Sequence, residues 1–302
     1  MAAVEYQPIG QPADLEWDRF SAPHRRYLDM GDYRVFYLDI GEGPVTVLLH
    51  GFAASMYVWS LVARNLVAAG RRVVMIDLPG MGQSSMVPTE MDMGVDRQGD
   101  RIAEILRRIG LSDVDLAGIS MGGAISLHMA LNHKELFRSV TVVTAAAYKV
   151  PGDLARAALK APYLGVPVSW ILGKWTARAT IRRIVYDRAS ATEHFLGEYC
   201  RAFDKPGYRQ FVRRLMREFD NPRAMAMGER YHEIDLPTMI VWGRHDPLVP
   251  PAFADRLHAS IPESRLEWIE DCGHVPPREH PDHLTDLLHD FWASLKGEGK
   301  EA

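Results

Sequence analysis

Residues 116–124 read LAGISMGGA, and the reading of this stretch decides the fold. An apolar, strand-like run over 114–119 leads into it, and a helix-like run over 121–133 leads out. Between them Ser120 sits in the pattern Gly118-x-Ser120-x-Gly122. One reading is steric, because glycines permit a tight turn. The other is chemical: a strand-to-helix turn holds a serine hydroxyl where a substrate reaches it. With Gly and Ser each near 7% of residues, the bare pattern arises by chance roughly 0.1 times in a chain this long. The strand before it and the helix after it select the chemical reading. Such a turn strains the serine backbone and demands small neighbours, here Gly118, Gly122 and Gly123. The Met121 N–H, at the start of the helix, then points at any negative charge forming on a substrate oxygen and supplies half of an oxyanion hole.

Outward from this turn the pattern repeats. Short apolar runs at 45–50, 72–77, 139–144, 238–243 and 266–270 read as buried strands. Helix-like stretches lie at 56–69, 95–109, 121–133, 250–259 and 281–295. Strand alternating with helix predicts an α/β fold, a mostly parallel central sheet flanked by helices. Runs on either side of Gly31-Asp32 predict a hairpin at its edge. The alternation stops after Thr144, and residues 148–232 carry no strong strand signal. We expect a helical cap over 148–232, inserted into a core of 26–147 and 233–302, with 1–25 a loose lead-in.

Composition narrows the function. The chain of 302 residues is 47% hydrophobic and 25% charged, with a net charge of −4. That balance gives no basic surface for nucleic acid. No apolar stretch reaches the ~20 residues of a membrane span. The N-terminus lacks the apolar segment of a secretory signal. Two distant cysteines, Cys200 and Cys272, make no disulfide framework, so a cytoplasmic protein with free thiols is expected. Metal-ligand spacings, phosphate loops and dinucleotide fingerprints are lacking, so no cofactor and no metal are expected. The expected partner is a small-molecule substrate; oligomeric state is not encoded in any pattern here.

Five motifs in order, HGFAAS (50–55), DLPGMGQS (77–84), GISMGG (118–123), WGRHDPLVP (242–250) and DCGHVPPREHP (271–281), resemble those of the α/β-hydrolase fold family. The resemblance covers nearly the whole chain from about residue 26. It implies Ser120 as nucleophile, His274 as its base and Asp246 as the acid that orients the base, in the chain order Ser, Asp, His of this fold. It also implies the backbone N–H of Phe52 as the second oxyanion donor. Histidine suits the role because a serine hydroxyl needs a base titrating near neutral pH. His50, His245, His280 and His283 are rivals, His50 reading better as a support of the oxyanion loop. Asp77 and Asp271 are rivals to Asp246, which as Asp-Pro also reads as a turn former.

Trp170, Leu172 and Trp175 in the cap, with Val275 beside the base, are candidates for the substrate pocket. At helical spacing the cap residues read first as packing contacts between cap and sheet, then as pocket lining, and last, with Arg178, Arg182 and Arg183, as an interfacial membrane helix. A serine at the elbow argues against the dehalogenases and epoxide hydrolases of this fold, which use aspartate. Carboxylic-ester hydrolysis through an acyl-enzyme is therefore the expected activity. The alternatives are a C–C bond hydrolase of ring-opened aromatic dienone acids and a cofactor-free perhydrolase. In the C–C group Asn commonly precedes the serine and Trp follows the histidine, whereas this chain has Ile119 and Val275. A non-catalytic receptor on the same scaffold is the reading from another class, since fold alone does not guarantee catalysis.

Overall fold

A computed structural model describes residues 17–149, 173–219 and 221–297. Eight strands form one sheet: β1 (Arg25–Asp29), β2 (Arg34–Ile40), β3 (Val45–Leu49), β4 (Arg72–Ile76), β5 (Val114–Ile119), β6 (Phe137–Val143), β7 (Thr238–Gly243) and β8 (Arg265–Ile269). Their order is β1-β2-β4-β3-β5-β6-β7-β8. The β1–β2 hairpin and the β2–β4 pair are antiparallel, and every other pair is parallel. Each strand expected from the sequence is present within a residue or two.

The two-residue period of a strand sends alternate side chains into two separate apolar layers. On β3, Val47 and Leu49 enter one layer and Leu48 the other. On β4, Val74 and Ile76 part from Val73 and Met75 in the same way, as Ile240 and Trp242 part from Met239 and Val241 on β7. The first layer is closed by helices α2 (Val95–Arg108) and α3 (Met121–Asn132). The second is closed by α1 (Ser60–Ala68) and by the long helix Pro281–Gly297. Strands covered on both faces must be apolar throughout, which is why they read as runs rather than alternations.

Between β6 and β7 the described residues are helical: α4 (Lys174–Ile184), α5 (Glu193–Cys200), α6 (Tyr208–Glu218) and α7 (Pro222–Ala226), with short 3-10 turns. This is the helical insertion. After it come α8 (Ala252–Ser260), α9 (Pro276–Glu279) and α10 (Pro281–Gly297). The lead-in is not loose throughout. Trp17 is buried and meets Tyr57 edge to face at 5.9 Å, so the end of the lead-in is pinned to the core.

Among the described residues no helix is long and apolar enough to cross a membrane. Both cysteines are free and buried.

Candidate active site

The carboxyl ends of β3, β5, β7 and β8 lie along one edge of the sheet, because these strands belong to its parallel part. Ligand sites of open α/β sheets form at that edge. Ser120 directly follows β5, Phe52 follows β3, Asp246 follows β7 and His274 follows β8.

Ser120 has φ 55° and ψ −114°, a conformation that L-residues rarely adopt. The surrounding structure holds it there. Its N–H donates to Val143 O at 2.9 Å, and its carbonyl accepts from Ala124 and Ala146 at 3.1 and 3.0 Å. The flanking glycines are required by close approach. A Cβ on Gly118 would lie 2.3 Å from Gly122 O, and one on Gly122 would lie 2.5 Å from Leu49 O. Met121 is the first residue of α3, so its N–H has no partner within the helix.

Asp246 and His274 are 5% and 4% exposed. Nδ1 of His274 donates to Asp246 Oδ2 at 2.7 Å. The other carboxylate oxygen accepts from the N–H groups of Leu248 and Val249 at 2.8 and 2.9 Å. An ionised carboxylate only accepts, so the imidazole proton belongs on Nδ1 and Nε2 is left with its lone pair, the form a general base needs. Backbone bonds tie the two loops together: His245 N–H donates to Cys272 O at 2.9 Å and Arg244 N–H to Ile269 O at 3.0 Å.

Ser120 and His274 line one cavity of about 270 Å³, as do Phe52 and Val275. Its remaining walls are mainly apolar and come from both core and insertion, with Val58 and Ile119 on one side and Ile181, Val212 and Met216 on the other. Trp175 is a correction to the sequence reading. It is 80% exposed and is not among the lining residues. Thr176, Ala177, Thr180, Ile181 and Ile184 share the cavity-facing side of α4, and at 3.6 residues per turn Trp175 falls on the other. Trp170 and Leu172 lie outside the described residues.

The rivals have other partners. His50 is fully buried, and burial lowers its pKa to about 4, so it is neutral near pH 7. Its Nε2 accepts from Leu78 N–H at 2.9 Å and its Nδ1–H donates to Gly51 O at 2.8 Å. That carbonyl belongs to the same peptide unit as the Phe52 N–H. His50 thus fixes the direction of the Gly51–Phe52 peptide unit. Asp77 accepts from Met56 N–H at 2.7 Å and Gln83 N–H at 2.6 Å, and burial raises its pKa to about 6. The Asp271 carboxylate meets the Tyr186 hydroxyl.

Sequence reasoning did not find the residues that brace these loops. The Tyr199 hydroxyl donates to Phe52 O at 3.1 Å, and that of Tyr208 to Ala53 O at 3.4 Å. Both reach from the insertion to the loop after β3 across about 150 residues of chain, and nothing local in the sequence signals such a contact. Glu279 accepts from the N–H groups of Gly273, Val275 and Tyr186. Its only local hint is its place closing a proline-initiated turn just after His274.

Asp100, His128 and His133 form the one candidate metal cluster among the described residues, away from the cavity, with ligand atoms within 4.8 Å of one another. The donors around it favour a hydrogen-bonded hub. Both Nε2 atoms lie 2.9 Å from Asp100 Oδ1. Each Nδ1 faces a donor, Asn132 Nδ2 at 3.2 Å and Arg107 Nη2 at 3.3 Å. The imidazole protons therefore sit on Nε2, and a protonated nitrogen offers no lone pair to an ion.

Comparison with known proteins agrees with this architecture. Residues 46–285 match the Alpha/beta hydrolase family. The chain is 27% identical over 275 residues to a 2-hydroxy-6-oxo-6-phenylhexa-2,4-dienoate hydrolase of Burkholderia cepacia, covering 88% of this chain and 93% of that one. It is 31% identical over 276 residues to a 2-hydroxy-6-oxononadienedioate/2-hydroxy-6-oxononatrienedioate hydrolase of Pseudomonas putida, covering 86% and 92%. Among solved structures, a thermophilic esterase of Thermogutta terrifontis matches with a TM-score of 0.74 at 20% identity, over 90% of this chain and 98% of that one. That last likeness speaks to the fold alone. With the family matched over most of its length, the chain belongs to the Alpha/beta hydrolase family.

Proposed function

We propose that this protein is a serine hydrolase that cleaves a bond to the carbonyl carbon of a small, largely apolar molecule. The observation that carries the reading is the buried His274–Asp246 hydrogen bond at the wall of the cavity that Ser120 also lines. Ser120 Oγ adds to the carbonyl while His274 Nε2 takes its proton. The N–H groups of Met121 and Phe52 stabilise the oxyanion. The imidazolium then protonates the leaving group, and water activated by the same imidazole releases the acyl group.

Two bonds suit this chemistry. We put first the carbon–carbon bond of a ring-opened aromatic dienone acid, where the leaving group is a stabilised carbanion. The relatives from Burkholderia cepacia and Pseudomonas putida, matched along almost their full lengths, support it over the ester expected from the sequence. The ester is the second reading, and a specific observation favours it. Among the described residues lining the cavity none is Lys or Arg, so no cation there faces a substrate carboxylate. Ile119 and Val275, which also line the cavity, stand where Asn and Trp are common in the C–C group.

The test is a panel of yellow dienone acids and short p-nitrophenyl esters, run on the wild type and on Ser120→Ala. Bleaching of a dienone acid with much weaker ester turnover supports the first reading, and the reverse supports the second. Ser120→Ala is expected to lower the preferred activity by at least about 10³-fold. Undiminished turnover in that variant, or failure of the wild type to react with a fluorophosphonate, refutes the proposal.

A further inference from the structure

Glu279 is 8% exposed, yet among the described residues it forms no ion pair. Its carboxylate meets the Cys272 thiol and otherwise accepts from backbone. Oε1 accepts from Val275 N–H at 2.8 Å, and Oε2 accepts from Gly273 N–H at 2.9 Å and from Tyr186 N–H at 2.6 Å. Two of these amides flank His274 and the third follows α4 of the insertion. A buried charge is tolerated when several hydrogen bonds replace its hydration, and removing it leaves its donors unsatisfied.

The same three strands of chain meet at further points. His274 N–H donates to Ile184 O at 2.8 Å. A Cβ on Gly273 would lie 2.3 Å from Ile184 O, so the base loop and the insertion are in backbone contact. From the sheet side, Thr144 Oγ1 donates to His274 O at 3.1 Å, although Thr144 is β-branched and held at φ 43°. A β-branched residue at positive φ persists only where its surroundings enforce it.

We infer that Glu279 is a positioning residue for the base: its carboxylate joins the backbone on both sides of His274 to the insertion at Tyr186, so that the imidazole is held against Asp246 only while the insertion is docked. The inference rests on the serine-hydrolase reading above. It deepens that reading by making the helical insertion part of the machinery that orients the base.

The experiment compares wild type with Glu279→Gln and Glu279→Asp. A glutamine has a single acceptor oxygen, so its amide group opposes at least one of the three N–H donors. An aspartate keeps the charge but is too short to reach both loops. The expected result is a fall in kcat of roughly 10- to 100-fold with KM changed less than about threefold. The fluorophosphonate reaction of Ser120 should slow in parallel, and the downfield proton resonance of the His274–Asp246 hydrogen bond should broaden or shift. Folded variants with wild-type kcat and an unmoved resonance overturn the inference. If neither variant folds, amide hydrogen exchange on the wild type decides. Gly273, Val275 and Tyr186 should be protected to a similar degree and lose protection together, and fast independent exchange at Tyr186 overturns the coupling. A wild type that never labels with fluorophosphonate sinks the serine-hydrolase reading instead, while the exchange data still judge the clamp.

Discussion

At Asp246 one carboxylate divides its two oxygens between two tasks. Oδ1 takes backbone N–H groups that fix the loop, and Oδ2 takes the imidazole proton. An asparagine keeps the shape but can present an amide N–H to His274, which favours the wrong tautomer. Asp246→Asn is therefore expected to lower kcat by roughly 10³–10⁴-fold with little loss of stability, measured by steady-state kinetics beside thermal unfolding. His50 and Asp77 make a second residue-scale case, 3.8 Å apart and both buried. The histidine titrates at about 4 in the fold against 6.5 ordinarily, so the folded state holds fewer protons and stability falls as pH drops through that window. The aspartate titrates at about 6 against 3.8, so the folded state holds more protons and stability rises as pH drops through nearly the same window. Each effect amounts to about 3 kcal/mol and they oppose. Asp77→Asn should leave the histidine effect uncompensated, and urea denaturation should show a steeper loss between pH 6.5 and 4 than in wild type. Parallel curves would contradict this account.

At the scale of elements, α4 shows how a helix divides its work. Thr176, Ala177, Thr180, Ile181 and Ile184 face the cavity. Its other side carries charge: Arg178 and Arg182 both pair with Glu193, and Lys174 pairs with Asp204. Ala177 is the smallest side chain among those five, so Ala177→Phe should shorten the cavity. Turnover of a phenyl-bearing substrate should fall roughly tenfold or more relative to an acetyl ester, since pockets discriminate bulk on that scale. A kinetic panel on the variant checks it, and an unchanged preference would mean substrates do not pass α4. The elbow is the other instructive element. It was legible because strand, glycine, serine, glycine and helix all come from one short stretch. The face of α4 was not, because the helical pattern around Trp175 does not say which side meets the sheet.

Across the whole molecule, a buried ion-pair cluster and the proposed catalytic site lie at opposite ends of the sheet. Asp115 is fully buried near the amino end of β5, where it pairs with Arg71 and Arg138 and accepts from Ser139 Oγ at 2.6 Å. Arg71 also donates to Thr46 Oγ1 at 2.7 Å and lies over the Trp292 ring. Removing one partner of a buried pair strands the other charge, at a cost of about 3–5 kcal/mol. Asp115→Ala should thus lower Tm markedly, while kcat/KM per folded molecule at low temperature stays within about twofold because the strand length separates the pair from Ser120. Calorimetry with active-site titration tests both halves.

The sequence by itself determined the α/β architecture, the strands of the sheet and the strand–turn–helix at Ser120. These follow from patterns within short windows, where periodicity and turn chemistry act through adjacent residues. Only the tertiary structure decided that His274 meets Asp246 rather than Asp77 or Asp271, that Trp175 faces outward, and that Tyr199, Tyr208 and Glu279 brace the loops. Those facts depend on which surfaces remote segments present to each other once the core has closed. No local propensity carries that information, because burial and hydrogen bonding between distant residues are settled by packing alone.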